Sequence, residues 1–454
     1  MNDLINSLLP ADAGVQCMLH PVFGASLYTT RAFDIGEIVW QEDAALLSSG
    51  SSVLAYAKVF KNHSAADLSR ILSGFMTLDE STINADPTFS VIARLCSAFR
   101  KSHAAHLPLV TQLVSAFEIN GHGFLNDTAG LFTVASKAAH SCSPNVIYKP
   151  RGDAGMAYVA ITPLAPDSLV YYSYIAREKL GYSSHFRQVM LRQLYYFTCG
   201  CARCAGVDHV RPLKCPTCAK DILRSAATAS WSCASCATVV TDAQAPLVLP
   251  LTDEDALENT VMGFDILVDS ATVTKVRAAF RLASKTLSMN HWTVIYLSRI
   301  LVEMSIPPST NHMAPALTSP QLKAMSKRIA MWCADVLAPH NGVSAAGLVF
   351  MYQGILFAQS RTDPEVRAAL TSLYPYFRLN FDPNDDDVVE WRGLVWSADL
   401  QEVETRYCAH CTKPATLRCA RCTSVAYCSK ECQVLNWKGH KRVCPKLKSH
   451  HAIS

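Results

Sequence analysis

Apolar side chains recur at helical spacing between residues 53 and 118. Two groups carry the pattern: Leu54, Ala57 and Phe60, then Leu68, Ile71, Leu72 and Phe75. Side chains three or four positions apart share one face of a helix, so each group forms an apolar stripe. The spacing predicts a helical segment over residues 53–118.

Shorter alternating patterns before this segment indicate strands. Residues 24–31 and 34–39 alternate apolar and polar side chains, and Gly36, within the second stretch, supplies a turn residue. A period of two places successive side chains on opposite faces of a sheet. The pattern predicts a strand, a turn and a second strand that together form a hairpin.

Helical spacing returns between about residues 250 and 400. Ala278, Ala279, Leu282 and Ala283 follow it, and two start signals accompany it: Thr252-x-x-Asp255, read as a cap, and Ser319-Pro320. These helices, added to the strands, predict an α+β fold class.

The longest apolar run does not have the character of a membrane span. Residues 343–358 are interrupted by Ser344 and Gln353 and are too few to cross a bilayer, which indicates a buried helix. The N-terminus lacks the basic and apolar regions of a signal peptide. We therefore expect no membrane association and a location in the nucleus or cytoplasm.

Composition narrows the class of protein. The chain has 454 residues, enough for roughly three domains, and half of them are hydrophobic while 17% are charged, which excludes intrinsic disorder. A net charge of +4 is too small for a nucleic-acid surface over the whole molecule. The last 54 residues, however, hold ten Lys or Arg against three Glu, so the tail is a separate basic unit.

The tail contains eight potential metal ligands. They run Cys408-x2-Cys411-x7-Cys419-x2-Cys422-x5-Cys428-x3-Cys432-x7-His440-x3-Cys444. Eight such ligands make two tetrahedral zinc sites, and a segment this short depends on metal for most of its folding free energy.

This spacing resembles the MYND zinc finger, together with the Ala-Tyr pair before Cys428 and the Trp three residues before His440. The resemblance implies two interleaved sites, the first of Cys408, Cys411, Cys428 and Cys432 and the second of Cys419, Cys422, His440 and Cys444. It also implies protein partners with proline-rich peptides. The basic residues of the tail could instead contact acidic partners or nucleic acid, for which the sequence gives no further support: Lys438, Lys441, Arg442, Lys446 and Lys448.

A second group of cysteines lies in the middle of the chain. Two Cys-x2-Cys pairs are separated by fourteen residues and predict a zinc-ribbon-like site: Cys215, Cys218, Cys233 and Cys236. Just before them, Cys199, Cys201 and Cys204 supply three thiols and need a fourth ligand. The three leftover thiols, Cys17, Cys96 and Cys333, are expected in the core as small apolar groups.

The segment His140-Ser141-Cys142-Ser143-Pro144-Asn145 resembles a signature of SET-domain lysine methyltransferases of the SET-and-MYND type. The resemblance implies that Cys142 completes the zinc site of Cys199, Cys201 and Cys204, which brings the count to about four zinc ions. It also implies a SET β-fold with a helical insert, a zinc-bound post-SET segment and a helical C-terminal lobe. The domains would be 1–198 (SET), 199–240 (post-SET and knuckles), 250–400 (helical lobe) and 405–446 (MYND).

The same resemblance implies S-adenosylmethionine as cofactor and assigns candidate residues to it. The turn at Gly24, Ser26 and Leu27 would approach the cofactor, with His140, Tyr174 and either Asn120 or, in a rival alignment, Ser115. Tyr174 matches the catalytic tyrosine at the end of the strand 169–175. Tyr195 and Phe197 match the aromatic walls of the lysine channel.

Several features depart from that family. Ala139 and Ser26 replace an Asn and a Gly near the cofactor, Pro166-Asp167-Ser168 replaces Gly-Glu-Glu, and the MYND finger follows the helical lobe instead of interrupting the SET domain.

The leading hypothesis is a protein-lysine N-methyltransferase acting on an exposed lysine of histone or non-histone proteins. The alternatives are a catalytically decayed adaptor that binds protein partners and a zinc-dependent transcriptional regulator.

Overall fold

A computed structural model describes residues 2–99, 106–123, 128–264, 270–305, 317–380, 388, 390–391, 408–409, 415–421 and 425–444. The chain divides into two compact units, the first formed by residues 1–174 and 188–199 and the second by residues 175–187 and 200–454. The predicted ligands Cys411 and Cys422 lie outside the described residues.

Strands and helices occupy largely separate stretches of the first unit, with five consecutive helices between two groups of strands, which agrees with the α+β class. The strands are β1 (Val15–His20), β2 (Gly24–Thr29), β3 (Ile38–Asp43), β4 (Leu46–Ser48), β5 (His122–Gly123), β6 (Ala129–Leu131), β7 (Ala139–His140), β8 (Val146–Arg151), β9 (Gly155–Ala160) and β10 (Tyr171–Tyr172). The helices are α1 (Asn2–Ser7), α2 (Val53–Asn62), α3 (Ala65–Leu72), α4 (Glu80–Ala85), α5 (Ser90–Phe99) and α6 (Leu107–Asn120). Five of these helices, α2 to α6, cover the segment 53–118 that the apolar spacing predicts as helical, and the last of them ends at Asn120.

The predicted hairpin between residues 24–31 and 34–39 is wrong in its pairing. Both strands form, but β2 pairs with the upstream β1, and β3 pairs with β9 from more than a hundred residues away. Gly36 has a φ of 90° in the connection, where its N–H donates to the carbonyl of Ala160. The turn therefore directs the chain towards β9, and the local alternation could not identify that distant partner.

Two apolar cores hold the first unit together. One contains the fully buried Leu27, Phe132 and Tyr158 among the short sheets, and the other contains Tyr56, Ile92 and Val114 among α2–α6. Leu54, which the spacing placed on the apolar stripe of α2, is instead 84% exposed. The fully buried residues of α2 are Ala55, Tyr56 and Val59, while the predicted Ala57 and Phe60 are partly buried and pack against the same core.

A four-stranded antiparallel sheet and a set of helices build the second unit. The strands β11 (Leu213–Lys214), β12 (Asp221–Ser225), β13 (Ser230–Ser232) and β14 (Val239–Thr241) pair in chain order. A helix α7 (Ser184–Tyr195) joins the units, and the others are α8 (Ala202–Ala205), α9 (Ala245–Val248), α10 (Leu251–Met262), α11 (Ser270–Thr286), α12 (Trp292–Glu303), α13 (Ser319–Trp332), α14 (Ala338–Phe350), α15 (Gln353–Ser360) and α16 (Pro364–Asn380).

Helix starts in this unit follow the sequence signals in part. Thr318 makes a capping box with Gln321 at the start of α13, immediately before the predicted Ser319-Pro320. By contrast, α10 begins at Leu251, and no side chain caps it, so Thr252 is not a cap. The N-cap position is taken by Pro250, whose side chain has no hydrogen-bonding group to offer.

The apolar run 343–358 is not one helix. It breaks between Phe350 and Gln353, where α14 and α15 meet. Within the described ranges no single helix is long and apolar enough to cross a membrane, while residues 319–350 and 353–360, bent by 94°, satisfy the length and composition criteria as a pair.

The tail forms a small zinc-finger fold within the described residues. The strands β15 (Leu417–Arg418) and β16 (Ala426–Tyr427) pair antiparallel and precede helix α17 (Lys430–Val443). Ser429 caps that helix by accepting the N–H of Cys432. The buried Tyr427 donates its hydroxyl to Oδ1 of Asn436 at 3.0 Å, which ties the helix to the hairpin.

Candidate active site and metal centres

A short parallel pair of strands positions the predicted catalytic tyrosine. In this pair, β7 and β10 place His140 opposite Tyr172. Two residues further along, the main-chain N–H of Tyr174 donates to Nδ1 of His140 at 3.0 Å. This hydrogen bond joins the segment that follows β10 to the end of β7, and it fixes the position of Tyr174 just beyond the sheet.

Tyr174 lies among the aromatic residues that the sequence predicts as its neighbours. Its hydroxyl donates to the carbonyl of Ala138 at 2.9 Å, and its ring centroid lies 5.2 Å from that of Tyr195 and 6.1 Å from that of Phe197. The ring of His140 lies 5.7 Å from Phe197. Burial, assisted by Tyr195, raises the pKa of Tyr174 well above its usual range, so the phenol stays neutral at physiological pH.

The two wall residues reach this position through an irregular helix end. Tyr196 follows the last residue of α7 and has a φ of 63°, in the left-handed region that usually ends a helix. Its ring packs on Phe89 with centroids 4.4 Å apart. Because Tyr196 turns the backbone in this way, Tyr195 and Phe197 both contact Tyr174 instead of facing opposite sides.

A second group of aromatic side chains lies beside Tyr174, and the sequence did not identify it. Tyr172 packs on Tyr174 at 4.8 Å and stacks on the imidazole of His122 at 5.2 Å and 16°. His122 Nε2 lies 3.1 Å from the hydroxyl of Tyr158, and both residues are buried. Their strands β5, β9 and β10 belong to three different sheets, so no sequence period connects them.

Glu42 holds the turn that receives the Tyr174 hydroxyl. Its carboxylate accepts the N–H groups of Val134, at 3.1 Å, and Ala135, at 2.5 Å, at the start of a short helical turn. The carbonyl of Ala138 at the end of this turn binds Tyr174. Burial raises the pKa of Glu42, while the backbone N–H bonds act against that rise.

The predicted cofactor turn occupies the start of β2. Gly24 has a φ of +71° and open space where a side chain would lie. The buried Ser26 donates its hydroxyl to the carbonyl of Gly24 at 3.2 Å, and Leu27 is fully buried in the core. The hydroxymethyl group of Ser26 therefore folds back onto its own strand.

Asn120 and Ser115, the two alternative candidates for binding the cofactor, both form hydrogen bonds with the protein backbone. The Asn120 amide donates to the carbonyls of Met76, at 2.9 Å, and Ala116, at 3.0 Å. Ser115 is fully buried, and its hydroxyl accepts the N–H of Leu78. Each side chain ties α6 to the loop that follows α3.

The four cysteines of the predicted ribbon come together. The sulfurs of Cys215, Cys218, Cys233 and Cys236 all lie within 4.8 Å of one another, and the Cys215–Cys236 and Cys218–Cys233 pairs are 3.6 Å apart. Tetrahedral zinc with 2.3 Å bonds needs sulfurs about 3.8 Å apart. The spacing and chemistry of this cluster fit zinc.

The MYND ligands form two groups with the predicted interleaving. Cys408, Cys428 and Cys432 converge in one group, with 3.6 Å between the last two sulfurs. Cys419, His440 and Cys444 converge in the other, where His440 Nε2 lies 3.3 Å from the Cys419 sulfur. Each group contributes three of its four predicted ligands, and the fourth lies outside the described residues.

The cysteines of the predicted post-SET site are divided between the two units. Within the first unit, the sulfurs of Cys142 and Cys199 lie within 4.8 Å, and His140 Nε2 lies 3.5 Å from the Cys142 sulfur. Gln188 holds Cys199 by accepting its N–H at 2.7 Å. Cys201 and Cys204 belong to the second unit, and their sulfurs lie within 4.8 Å of each other.

The three leftover thiols, Cys17, Cys96 and Cys333, are buried as expected.

One buried polar cluster was not expected from the sequence. Glu254, Glu258 and His291 lie within metal-ligand distance of one another in the helical part of the second unit. However, Arg211 binds both oxygens of Glu254, at 2.7 and 2.6 Å, and His291 Nε2 lies 2.9 Å from the same carboxylate. Protein groups therefore satisfy Glu254, and Trp292 Nε1 donates to Glu258 at 2.5 Å, so the cluster forms a buried hydrogen-bonded network.

Comparison with known proteins gives one family model, the MYND finger, over residues 408–444. Among similar proteins, ubiquitin carboxyl-terminal hydrolase 15 of Arabidopsis thaliana is 38% identical over 69 residues, which are 15% of this chain and 8% of that protein. N-lysine methyltransferase SMYD2-B of Danio rerio is 34% identical over 103 residues, or 22% of this chain and 23% of that protein. Histone-lysine N-methyltransferase ASHR1 of Arabidopsis thaliana is 32% identical over 124 residues, or 26% and 25%.

A solved structure, the SET domain of LSMT bound to lysine and AdoHcy, aligns over 88% of this chain and 89% of its own, with 9% identity and a TM-score of 0.31. A score this low does not establish a shared fold. The chain spans only about a tenth to a quarter of the three relatives, and these differ in their named activities. The matches confirm the MYND finger and the resemblance to SET-and-MYND proteins.

Proposed function

We propose that the chain is an S-adenosylmethionine-dependent protein-lysine N-methyltransferase whose MYND finger recruits protein partners. The observation that best supports this is the position of Tyr174, a neutral phenol held on the Ala138 carbonyl between the rings of Tyr195 and Phe197. Its substrate would be an exposed lysine of a histone or non-histone protein in the nucleus or cytoplasm.

The chemistry suits this arrangement. The cofactor supplies a methyl group on a sulfonium, and the lysine must present a neutral amine in line with the S–CH3 bond. As the N–CH3 bond forms, the S–CH3 bond breaks, and the proton that the lysine ammonium gave up beforehand has passed to solvent. A phenol and main-chain carbonyls orient the amine, and ring faces attract the positive charge shared with the methyl group.

The cofactor would bind near the start of β2 and near His140 at the end of β7. Gly24 supports this assignment, since its positive φ and open surroundings allow a ligand to approach the backbone. In this proposal, Ser26, Leu27 and Asn120 line the site, with the side chains of Ser26 and Asn120 bonded to the protein itself and that of Leu27 buried. His140 and Tyr174 complete the site.

About four zinc ions would complete the protein in a structural role. The ribbon and the two MYND groups have the donor types and spacings described above. The fourth ion is the one that the resemblance to SET-and-MYND proteins implies. Thiolate sites of this kind contribute folding free energy and leave no open position for chemistry.

The test is calorimetric titration of S-adenosylmethionine into zinc-replete protein, followed by transfer of a labelled methyl group to a panel of basic proteins. Micromolar binding with label on lysine is the expected result. Absence of binding at millimolar cofactor would overturn the proposal.

The second candidate is an adaptor that has lost catalysis. The engagement of Asn120 and Ser26 with the chain's own backbone favours it, because both positions are expected to serve the cofactor. An adaptor would show no cofactor binding but would still bind proline-rich peptides through the MYND finger. A DNA affinity that falls steeply with salt would instead favour the zinc-dependent regulator.

A further inference from the structure

A buried histidine determines the direction of a chain of hydrogen bonds beside Tyr174. His122 is 5% exposed, and its two ring nitrogens face different groups: Nδ1 lies 3.1 Å from the carbonyl of Asn120, and Nε2 lies 3.1 Å from the hydroxyl of Tyr158. Burial lowers the pKa of His122 to about 4, against a smaller opposing effect of the Asn120 carbonyl. The ring is therefore neutral and carries one proton.

The position of that proton follows from the Asn120 carbonyl. A carbonyl oxygen can only accept, so Nδ1 must be the protonated nitrogen and Nε2 must be an acceptor. The Tyr158 hydroxyl has two acceptors within reach, Nε2 of His122 and the carbonyl of Ala135, each at 3.1 Å. If the Tyr158 hydroxyl donated to Ala135, the unprotonated Nε2 of His122 would be buried without a donor. Donation to Nε2 avoids that cost.

Tyr172 packs against this chain of hydrogen bonds. The chain runs in one direction, from the Tyr158 hydroxyl through His122 to the Asn120 carbonyl. The Tyr158 ring, which the bond to His122 orients, lies 5.1 Å from the ring of Tyr172. The Tyr172 ring also contacts the imidazole at 5.2 Å and Tyr174 at 4.8 Å.

We propose that His122 is a positioning residue for lysine methylation, acting through Tyr158 and Tyr172 on the placement of Tyr174. This role rests on the proposed methyltransferase function. The positioning role requires no contact between His122 and either substrate. It also explains why an imidazole is buried here, since an apolar ring could not hydrogen-bond to the Tyr158 hydroxyl.

The activity test is a double-mutant cycle on the full-length, zinc-replete protein. His122→Phe keeps a ring against Tyr172 but removes both nitrogens, and Tyr158→Phe removes only the hydroxyl. We expect each to lower kcat by about tenfold or more, because small misplacements of reacting groups are costly. The double variant should lose little more than either single one, since both break the same chain.

The matched control is Tyr148→Phe. Tyr148 also contacts the His122 ring, at 5.5 Å, but its hydroxyl donates outside the chain, to Gly123. This variant should keep kcat within about twofold, a margin set by the small energy of one exposed hydrogen bond. Losses of kcat that simply add in the double variant, or an equal loss in Tyr148→Phe, would overturn the inference.

A spectroscopic measurement separates this inference from the proposed function. Nitrogen NMR of the imidazole, assigned with His122→Phe, should show a protonated Nδ1 and a bare Nε2 across the neutral pH range. A protonated Nε2 would overturn the directed chain even if the protein methylates lysine. Conversely, a wild-type protein without methyl transfer would overturn both the proposed function and the positioning role, whichever tautomer is found.

Discussion

The hydroxyl of Tyr195 donates to the main-chain carbonyl of Tyr174 at 2.8 Å, while the two rings contact each other at 5.2 Å. One wall residue therefore fixes the backbone of the candidate catalytic residue as well as packing against its side chain. The main chain of Tyr174 is bound on its other side by His140. With both backbone groups engaged, the phenol has a defined direction.

The first prediction concerns the Tyr174 hydroxyl. Tyr174→Phe keeps the ring contacts but removes the group bound to Ala138, and we expect kcat to fall by roughly 10²-fold, the typical effect of losing one oriented donor. Cofactor affinity from calorimetry should change by less than about threefold, because one hydrogen bond is involved. An unchanged rate of methyl transfer would remove Tyr174 from the chemistry.

The second prediction concerns Glu42. Glu42→Gln replaces one acceptor oxygen with an NH2 group that faces backbone N–H groups, so the free energy of unfolding should fall by about 1–3 kcal/mol. The matched control is Asp43→Asn, the next residue on β3, whose 77% exposed side chain forms only a surface ion pair with Arg151. It should stay within about 0.5 kcal/mol. Equal effects in urea denaturation would contradict the role of Glu42 in holding the 134–138 turn.

The third prediction is a pH dependence caused by Glu258. Burial, with the charge of Glu254 next in size, raises the pKa of Glu258 to about 8, against about 4.3 in an unfolded chain. Between these values the folded protein holds a proton that the unfolded chain has lost. The contribution of Glu258 to stability therefore decreases as pH rises, by up to about 1.4 kcal/mol per pH unit in the window from about pH 5 to 8.

Denaturation of Glu258→Gln across that window checks this dependence. The difference in unfolding free energy between wild type and variant should slope with pH and level off above pH 8. Asp253→Asn, an exposed position on the same helix, is the control and should run parallel to wild type. A difference that does not change with pH would contradict the raised pKa.

The fourth prediction concerns zinc content. Cys215→Ser and Cys419→Ser should each lower the bound zinc by one equivalent after dialysis, as measured by elemental analysis, because each removes a buried ligand from a different cluster. Cys96→Ser, a buried thiol outside the described clusters, should keep the full complement. Zinc loss in the Cys96 variant alone would contradict the ligand assignments.

Local spacing was sufficient for the parts of the fold that depend on neighbouring residues. The eight-ligand pattern of residues 408–444 specified the MYND finger, since metal coordination fixes both ligand type and separation. The two Cys-x2-Cys knuckles came together for the same reason. The helical stripes at 53–118 predicted helices, although Leu54 of the first stripe is exposed, because burial depends on what packs against the helix.

Long-range pairing lay beyond the sequence. The alternation at 24–31 and 34–39 identified strands but assigned them to each other, whereas β3 pairs with β9. Asn120 was chosen for its side chain, yet the structure uses its amide to bind Met76 and its carbonyl to fix the proton of His122.

The cysteine-rich segments and the motif that contains Tyr174 could be identified from sequence, because covalent spacing limits which ligands and motif residues can act together. Beyond Tyr195 and Phe197, which the sequence placed beside Tyr174, the other side chains around it depend on the tertiary structure. His122, Tyr158 and Tyr172 come from three sheets, and Glu42 reaches its turn from more than ninety residues away. Such contacts result from packing between distant segments, and no local period encodes them.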